Sequence, residues 1–325
     1  MPRPPAPGPT RDAHLHGALL VDKPSGPTSH DIVAFARRAL KTPGIGHTGT
    51  LDPLATGLLV LLVGHATRLA QFLVTDEKEY IADVRLGIAT PTYDAASLSD
   101  GTRCPMTDNR WPMDAELETV LAGFRGSFLQ MPPPFSAKKT AGVPAYEKAR
   151  KNQPVDLKPV SVAVRELQVL DTSNIGHRTS DIGPGGLVRL RVAASSGFYV
   201  RSLAHDIGQA LGCGAHLEAL RRTRAGRFRL AEALTLDVIE AAGPAIASRL
   251  IGLNALLADM PAVTLTEEGT RRAGNGNTLA PGHVAGPSDG GPGEGKVRLL
   301  EPSGRLVSVA ERRADGLLHP LLVLR

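Results

Sequence analysis

Residues Gly46–Gly57, GHTGTLDPLATG, place three glycines, three threonines, one imidazole, one carboxylate and one proline in a single short stretch. Neither a regular helix nor a regular strand accommodates that mixture, so the stretch has to be a loop. The segment before it, Asp31–Lys41, is amphipathic at helical spacing, and Leu58–Val63 after it is a continuous apolar run. The fold must therefore be built around a loop set between a helix and a buried strand. Asp52 is the only acid between Asp31 and Asp76. A lone carboxylate on a glycine-rich loop of a rigid scaffold is suited to act as nucleophile or base. An isolated Asp-Pro pair would read as an ordinary turn; the surrounding composition is what favours chemistry.

Elements on either side follow from pattern. Gly17–Asp22 predicts a short strand. Thr28 and Asp31 resemble a capping box, and Ile32, Val33, Phe35, Ala36 and Leu40 form one helical face that should end before Pro43. Thr67–Thr75 and Asp114–Phe124 predict helices, and Tyr80–Leu86 alternates as a strand. Val160–Leu170 and Leu187–Ala194 predict further strands around a polar loop at 172–186, and Val200–Leu211 an amphipathic helix. Leu217 and Leu220 are read as sharing a helix face. This order has no βαβ rhythm and predicts an α+β fold with a largely antiparallel sheet. Residues 1–16 are read as a disordered leader. The character changes near residue 250, with a low-complexity stretch at Gly286–Gly295 and two strand-like runs at the end.

Composition narrows the function classes. A net charge of +5 favours an anionic partner. Aromatics at 4% argue against a stacking platform for single strands, so RNA would be read through phosphates and shape. Cys104 and Cys213 lie far apart and outline neither a metal site nor a disulfide framework. No P-loop or dinucleotide fingerprint is present. With no apolar run long enough to span a bilayer and five prolines in the first ten residues, the chain reads as cytoplasmic.

GHTGTLDPLATG resembles the catalytic motif of the tRNA pseudouridine-55 synthase family. Leu19–Pro24 with Thr28–Asp31 is similar to that family's N-terminal motif, and Gln130–Lys139, Ser195–Gly208 and Ala215–Phe228 resemble three later ones, all in family order. The resemblance implies the pseudouridine synthase fold over 17–252, a small β-rich, PUA-like RNA-binding domain over 253–325, and isomerisation of uridine 55 in the T-loop of tRNA. It implies no metal, nucleotide or flavin, since the reaction breaks and remakes a glycosidic bond without redox change. The partner is the T-arm of tRNA, and a monomer suffices.

By the same resemblance Asp52 is the essential carboxylate, Arg201 its cation and Tyr80 the active-site tyrosine, with Tyr199 and Leu220 completing the pocket. Arginine suits its place because it stays charged when buried and grips a carboxylate through two donors. His47 corresponds to the residue that braces the RNA loop once the target base has left the stack, and Lys23 is expected to position the loop or a phosphate. Arg221, Arg222, Arg224, Arg227 and Arg229 read as a phosphate track, Arg222 and Arg224 foremost, with a second basic region at Lys138, Lys139, Lys148, Arg150 and Lys151. The turn Thr90–Ser97 departs from the family pattern, with proline for its first acid and no closing glycine; it is expected to lie away from the chemistry. The rival readings are a tRNA-folding factor with a vestigial site, a hydrolase that would need a second carboxylate, and a guide-RNA-dependent relative.

Overall fold

The computed structural model describes residues 15–74, 77–103, 114–136, 139–140, 143–144, 157–172, 186–286 and 294–324. Most of the expected leader, the side chains of the basic Lys138–Lys151 region, and nearly all of the 172–186 loop and the Gly286–Gly295 stretch lie outside them.

The main sheet has nine strands: β1 (Gly17–Lys23), β2 (Ile45–Thr48), β3 (Thr56–Val63), β4 (Lys78–Leu86), β5 (Gly126–Gln130), β6 (Val160–Asp171), β7 (Leu187–Ala194), β8 (Ala215–Ala225) and β9 (Phe228–Arg229). Its order is β1-β3-β8-β4-β7-β6-β5, with β2 also on β3 and β9 on β8. Every pairing is antiparallel except β3 with β8. The sheet is covered on both faces around β3. Leu59, Leu61 and Val63 enter one core and Leu58, Val60 and Leu62 the other. That double burial explains a continuous apolar run in a largely antiparallel sheet.

Helix α1 (Ser29–Leu40) begins at the capping box: Asp31 N–H donates to Thr28 Oγ1 at 3.1 Å, and Thr28 N–H to Asp31 Oδ2 at 2.8 Å. It ends on Lys41 in the left-handed conformation and buries Ile32, Val33, Ala36 and Leu40. Helices α2 (Asp114–Ala122) and α3 (Val200–Ala210) lie where the periodicity puts them. The segment after β3 is a 3-10 turn, Gly64–Leu69, followed by the single helical turn Ala70–Leu73.

One element is corrected. Ala215–Ala225 is a strand, not a helix. A bulge between Leu217 and Ala219 inserts one residue into the ladder with β4, so Leu217 and Leu220, three apart, both turn inward and imitate helical spacing.

Beyond residue 260 a second sheet forms from β10 (Ala262–Thr264), β11 (Gly295–Leu300), β12 (Leu306–Arg312) and β13 (Leu318–Val323), beside helix α4 (Glu267–Gly274). Its own core holds Val263, Leu265, Val297, Leu299 and Leu318. Leu300, Leu306 and Val309 instead join Leu58, Val60 and Leu62, so this sheet closes the back of the main one.

Candidate active site

The loop 49–55 is the turn of the β2–β3 hairpin, at the point where β3 changes partner. β2 pairs with Val60–Val63, whereas β8 takes the same edge of β3 lower down, at Thr56 and Gly57. Gly57 has φ +95°, and a Cβ there would stand 2.4 Å from the Arg222 carbonyl oxygen; only glycine allows the two strands to meet.

Fully buried Lys23 holds the loop from below: its Nζ donates to the carbonyls of Ala55 at 2.6 Å, Pro24 at 2.9 Å and Pro53 at 3.3 Å. Arg222, 1% exposed, does the same from β8, with Nε on Leu58 O at 2.7 Å and Nη2 on Gly49 O at 3.0 Å. Ser29 Oγ donates to Leu51 O and accepts from Leu51 N–H, at 3.0 and 2.9 Å. Much of the loop's backbone is thus held by the buried side chains of Lys23, Ser29 and Arg222. Burial pulls the Lys23 ammonium down to about 8, against the opposing pull of Asp52.

Asp52 opens onto a cavity of about 250 Å³ lined by Tyr80, Tyr199, Arg201, Leu220 and Arg222 among others. That is slightly below the roughly 300–1,000 Å³ of sites for drug-sized ligands, and suits one small flat group. Tyr80 on β4 stands opposite Arg222 on β8, with Leu220 diagonally across. Tyr199 precedes α3, its N–H and carbonyl gripped by the amide of Gln130 at 2.8 and 3.0 Å.

Arg201, in the first turn of α3 and 8% exposed, meets Asp52 side-on: Nε is 2.9 Å from Oδ2, and Nη2 donates to Oδ1 at 3.2 Å. Its other donors serve Phe135 O at 3.0 Å and Thr92 O at 3.2 Å, and Nη1 lies 3.6 Å from the buried carboxylate of Asp94. The Asp52 side chain is 40% exposed through the cavity mouth, yet closely walled by protein. Desolvation pushes its pKa up from the ordinary value, Arg201 opposes this, and Asp94 adds to the rise. The carboxylate is therefore aligned by its cation while remaining reachable from the cavity.

Two expectations need correction. The 90–97 turn is not remote: Thr92 and Asp94 both touch Arg201, and Thr92 Oγ1 donates to Asp94 Oδ1 at 2.6 Å. Asp94 is the functional candidate that sequence reasoning missed; its Thr-x-Asp spacing signals a tight turn but not what the turn faces. The arginine run is not a free track. Arg222 is an internal brace, Arg221 pairs with Asp22 at 2.8 Å, Arg224 with Glu77 at 2.7 Å, and Arg227 donates to Ala255 O at 2.9 Å. His47, on β2, lies outside the cavity lining and meets His30 edge to face at 5.6 Å; burial lowers its pKa.

The profile of the TruB family pseudouridylate synthase N-terminal domain matches residues 37–200, and that of the tRNA pseudouridylate synthase B C-terminal domain matches 201–257. A tRNA pseudouridine synthase B of Solibacter usitatus is 41% identical over 314 residues, covering 95% of this chain and all of that one. The chain belongs to the TruB family. It is a tRNA pseudouridine synthase, an isomerase.

Other TruB relatives agree. The Opitutus terrae enzyme is 47% identical over 240 residues, 73% of this chain and 92% of its own, and that of Burkholderia mallei 41% over 307 residues, 94% and 96%. Among solved structures, the archaeal box H/ACA sRNP Nop10–Cbf5 complex shares 23% identity at a TM-score of 0.69, over 96% of this chain and 87% of that one. A Cbf5–Nop10–Gar1 complex gives 24% and 0.70, over 96% and 85%. These likenesses concern the fold, the pseudouridine synthase fold. Three of the motif stretches, at 46–57, 195–208 and 215–228, contribute residues to the lining of one cavity around Asp52 and Arg201.

Proposed function

We propose that this enzyme isomerises uridine 55 in the T-loop of tRNA, with Asp52 as the essential carboxylate. The observation that carries the reading is the Asp52–Arg201 pair at the mouth of a cavity fit for one base. Detaching uracil from its ribose, turning it and rejoining it through carbon 5 needs an ionised carboxylate within reach of both halves. Arg201 opposes the rise in pKa that the surrounding walls impose on Asp52. A base inside a folded loop must first leave its stack, at a cost of a few kcal/mol. Tyr80, Tyr199 and Leu220 then supply the aromatic and apolar surfaces that receive it, and Tyr80 is the candidate for proton transfer at carbon 5.

His47 stands beyond the cavity rim, where it can brace the emptied RNA loop. Lys23 and Arg222 act by holding the Asp52 loop. Arg224 reaches a phosphate only by exchanging its partner Glu77. The second sheet is the PUA-like RNA-binding part, within the span 253–325, and one copy of the chain suffices, without a guide RNA.

Purified protein incubated with an unmodified tRNA transcript, followed by chemical mapping, tests this. Pseudouridine at position 55 alone is expected, and none from Asp52→Asn, whose tRNA affinity should stay within about threefold. A product elsewhere, or wild-type turnover by Asp52→Asn, would overturn the reading.

A further inference from the structure

We propose that Tyr93 and His205 are positioning residues for Arg201, a clasp that fastens the 90–97 turn to α3. Neither lines the cavity. Arg201 and His205 are four apart in α3, so they share a face one helical turn from each other. The His205 ring lies on that of Tyr93, centroids 3.8 Å apart and planes within 10°. Tyr93 has φ +63°, in the left-handed region, where a residue with a side chain stays only if its surroundings hold it.

What holds it is two backbone bonds and the stack: Tyr93 N–H donates to Thr90 O at 3.1 Å, and Leu217 N–H to Tyr93 O at 3.0 Å. The residues on either side of Tyr93 are the two that serve Arg201. Thr92 offers its carbonyl and Asp94 its carboxylate. The turn and the helix are therefore joined at two points, at Arg201 itself and one turn further on. Without the second, the turn could pivot about the Leu217 bond and leave the guanidinium held only by Asp52 and Phe135. This inference rests on the reading of Arg201 as the cation that aligns Asp52.

The test separates ring from backbone. Tyr93→Gly favours the left-handed conformation and removes only the ring, whereas Tyr93→Phe and His205→Phe keep a ring to stack. Single-turnover kinetics on an unmodified tRNA transcript should show Tyr93→Gly and His205→Ala slowed about tenfold or more, with tRNA affinity within twofold of wild type. Both phenylalanine variants should stay within about twofold in rate. The double variant Tyr93→Gly/His205→Ala should be no slower than either single one, because the two rings act as one unit.

In Tyr93→Gly the acid limb of the rate should also move to higher pH, as Asp52 loses alignment with its cation; a mere loss of stability leaves that limb in place. Circular dichroism checks folding, and His205→Ala carries the test if Tyr93→Gly does not fold. Wild-type rates in a folded Tyr93→Gly or His205→Ala, or a phenylalanine variant as slow as the glycine one, would overturn the clasp. Failure of the functional reading looks different, because Asp52→Asn would then remain active whatever Tyr93 does.

Discussion

Asp52 sits between opposing influences, and its chemistry depends on their balance. Walls of protein and the nearby Asp94 carboxylate favour its neutral form, while Arg201 and Lys23 favour the charged one. The net shift is upward, so a rate that needs ionised Asp52 should fall, on acidification, at a pH above the ordinary carboxylate value of 3.8. Asp94→Asn removes a like charge, and the acid limb of kcat should then move to lower pH; an upward move would mean that Asp94 acts mainly by holding Arg201. At the alkaline end, Lys23 loses its proton near pH 8, and a decline there is expected. Lys23→Met should abolish that alkaline limb. It should also lower stability, measured by denaturant unfolding, since three carbonyls lose their donor at about 1–3 kcal/mol each.

At the scale of elements, the distinction is between local and distant causes. Helix α1 was legible because its cap, its apolar face and its end are all written within Thr28–Pro43. The double burial of β3 was legible as an unbroken apolar run. β8 was not, because its bulge is set by pairing with β4, and Ala, Leu, Glu and Arg are all good helix formers. The same mistake hid the fate of the arginines. On a strand, alternate residues face opposite ways, so Arg222 goes inward beneath the Asp52 loop while Arg221 goes out to Asp22. Arg222→Gln should accordingly lower stability by about 3 kcal/mol, leaving two carbonyls unserved, and should leave the salt dependence of tRNA binding unchanged. A flattening by nearly one unit of log affinity per unit of log salt would instead make it a phosphate contact. The site was legible in its motif residues, and the pairing of Asp52 with Arg201 was anticipated. Thr92 and Asp94 were not, because nothing near them in sequence says which helix their turn will meet.

Over the whole molecule, the second sheet begins at Ala262, beyond the change of composition near residue 250, and the two parts are not independent. Leu300, Leu306 and Val309 share a core with Leu58, Val60 and Leu62 of β3. Cutting after Gly252 would bare that apolar face of β3. The truncated protein should thus lose thermal stability and self-associate, seen by circular dichroism and sedimentation, before any effect on RNA binding could be read. A monomeric truncation with an unchanged melting temperature would show that the shared core contributes little.

The division of one edge of β3 between two partners has a consequence for evolution and engineering. Thr48 is in register with Val60, and Arg222 with Gly57. Adding or deleting one residue of β3 between Gly57 and Val60 would put one of these contacts out of register and send the side chains beyond it into the wrong core. Most surface loops drift freely in length; this stretch of strand is gauged at both ends, like a part cut to fit between two fixed stops. On the reading proposed above, a loop held this firmly leaves the bending to the RNA.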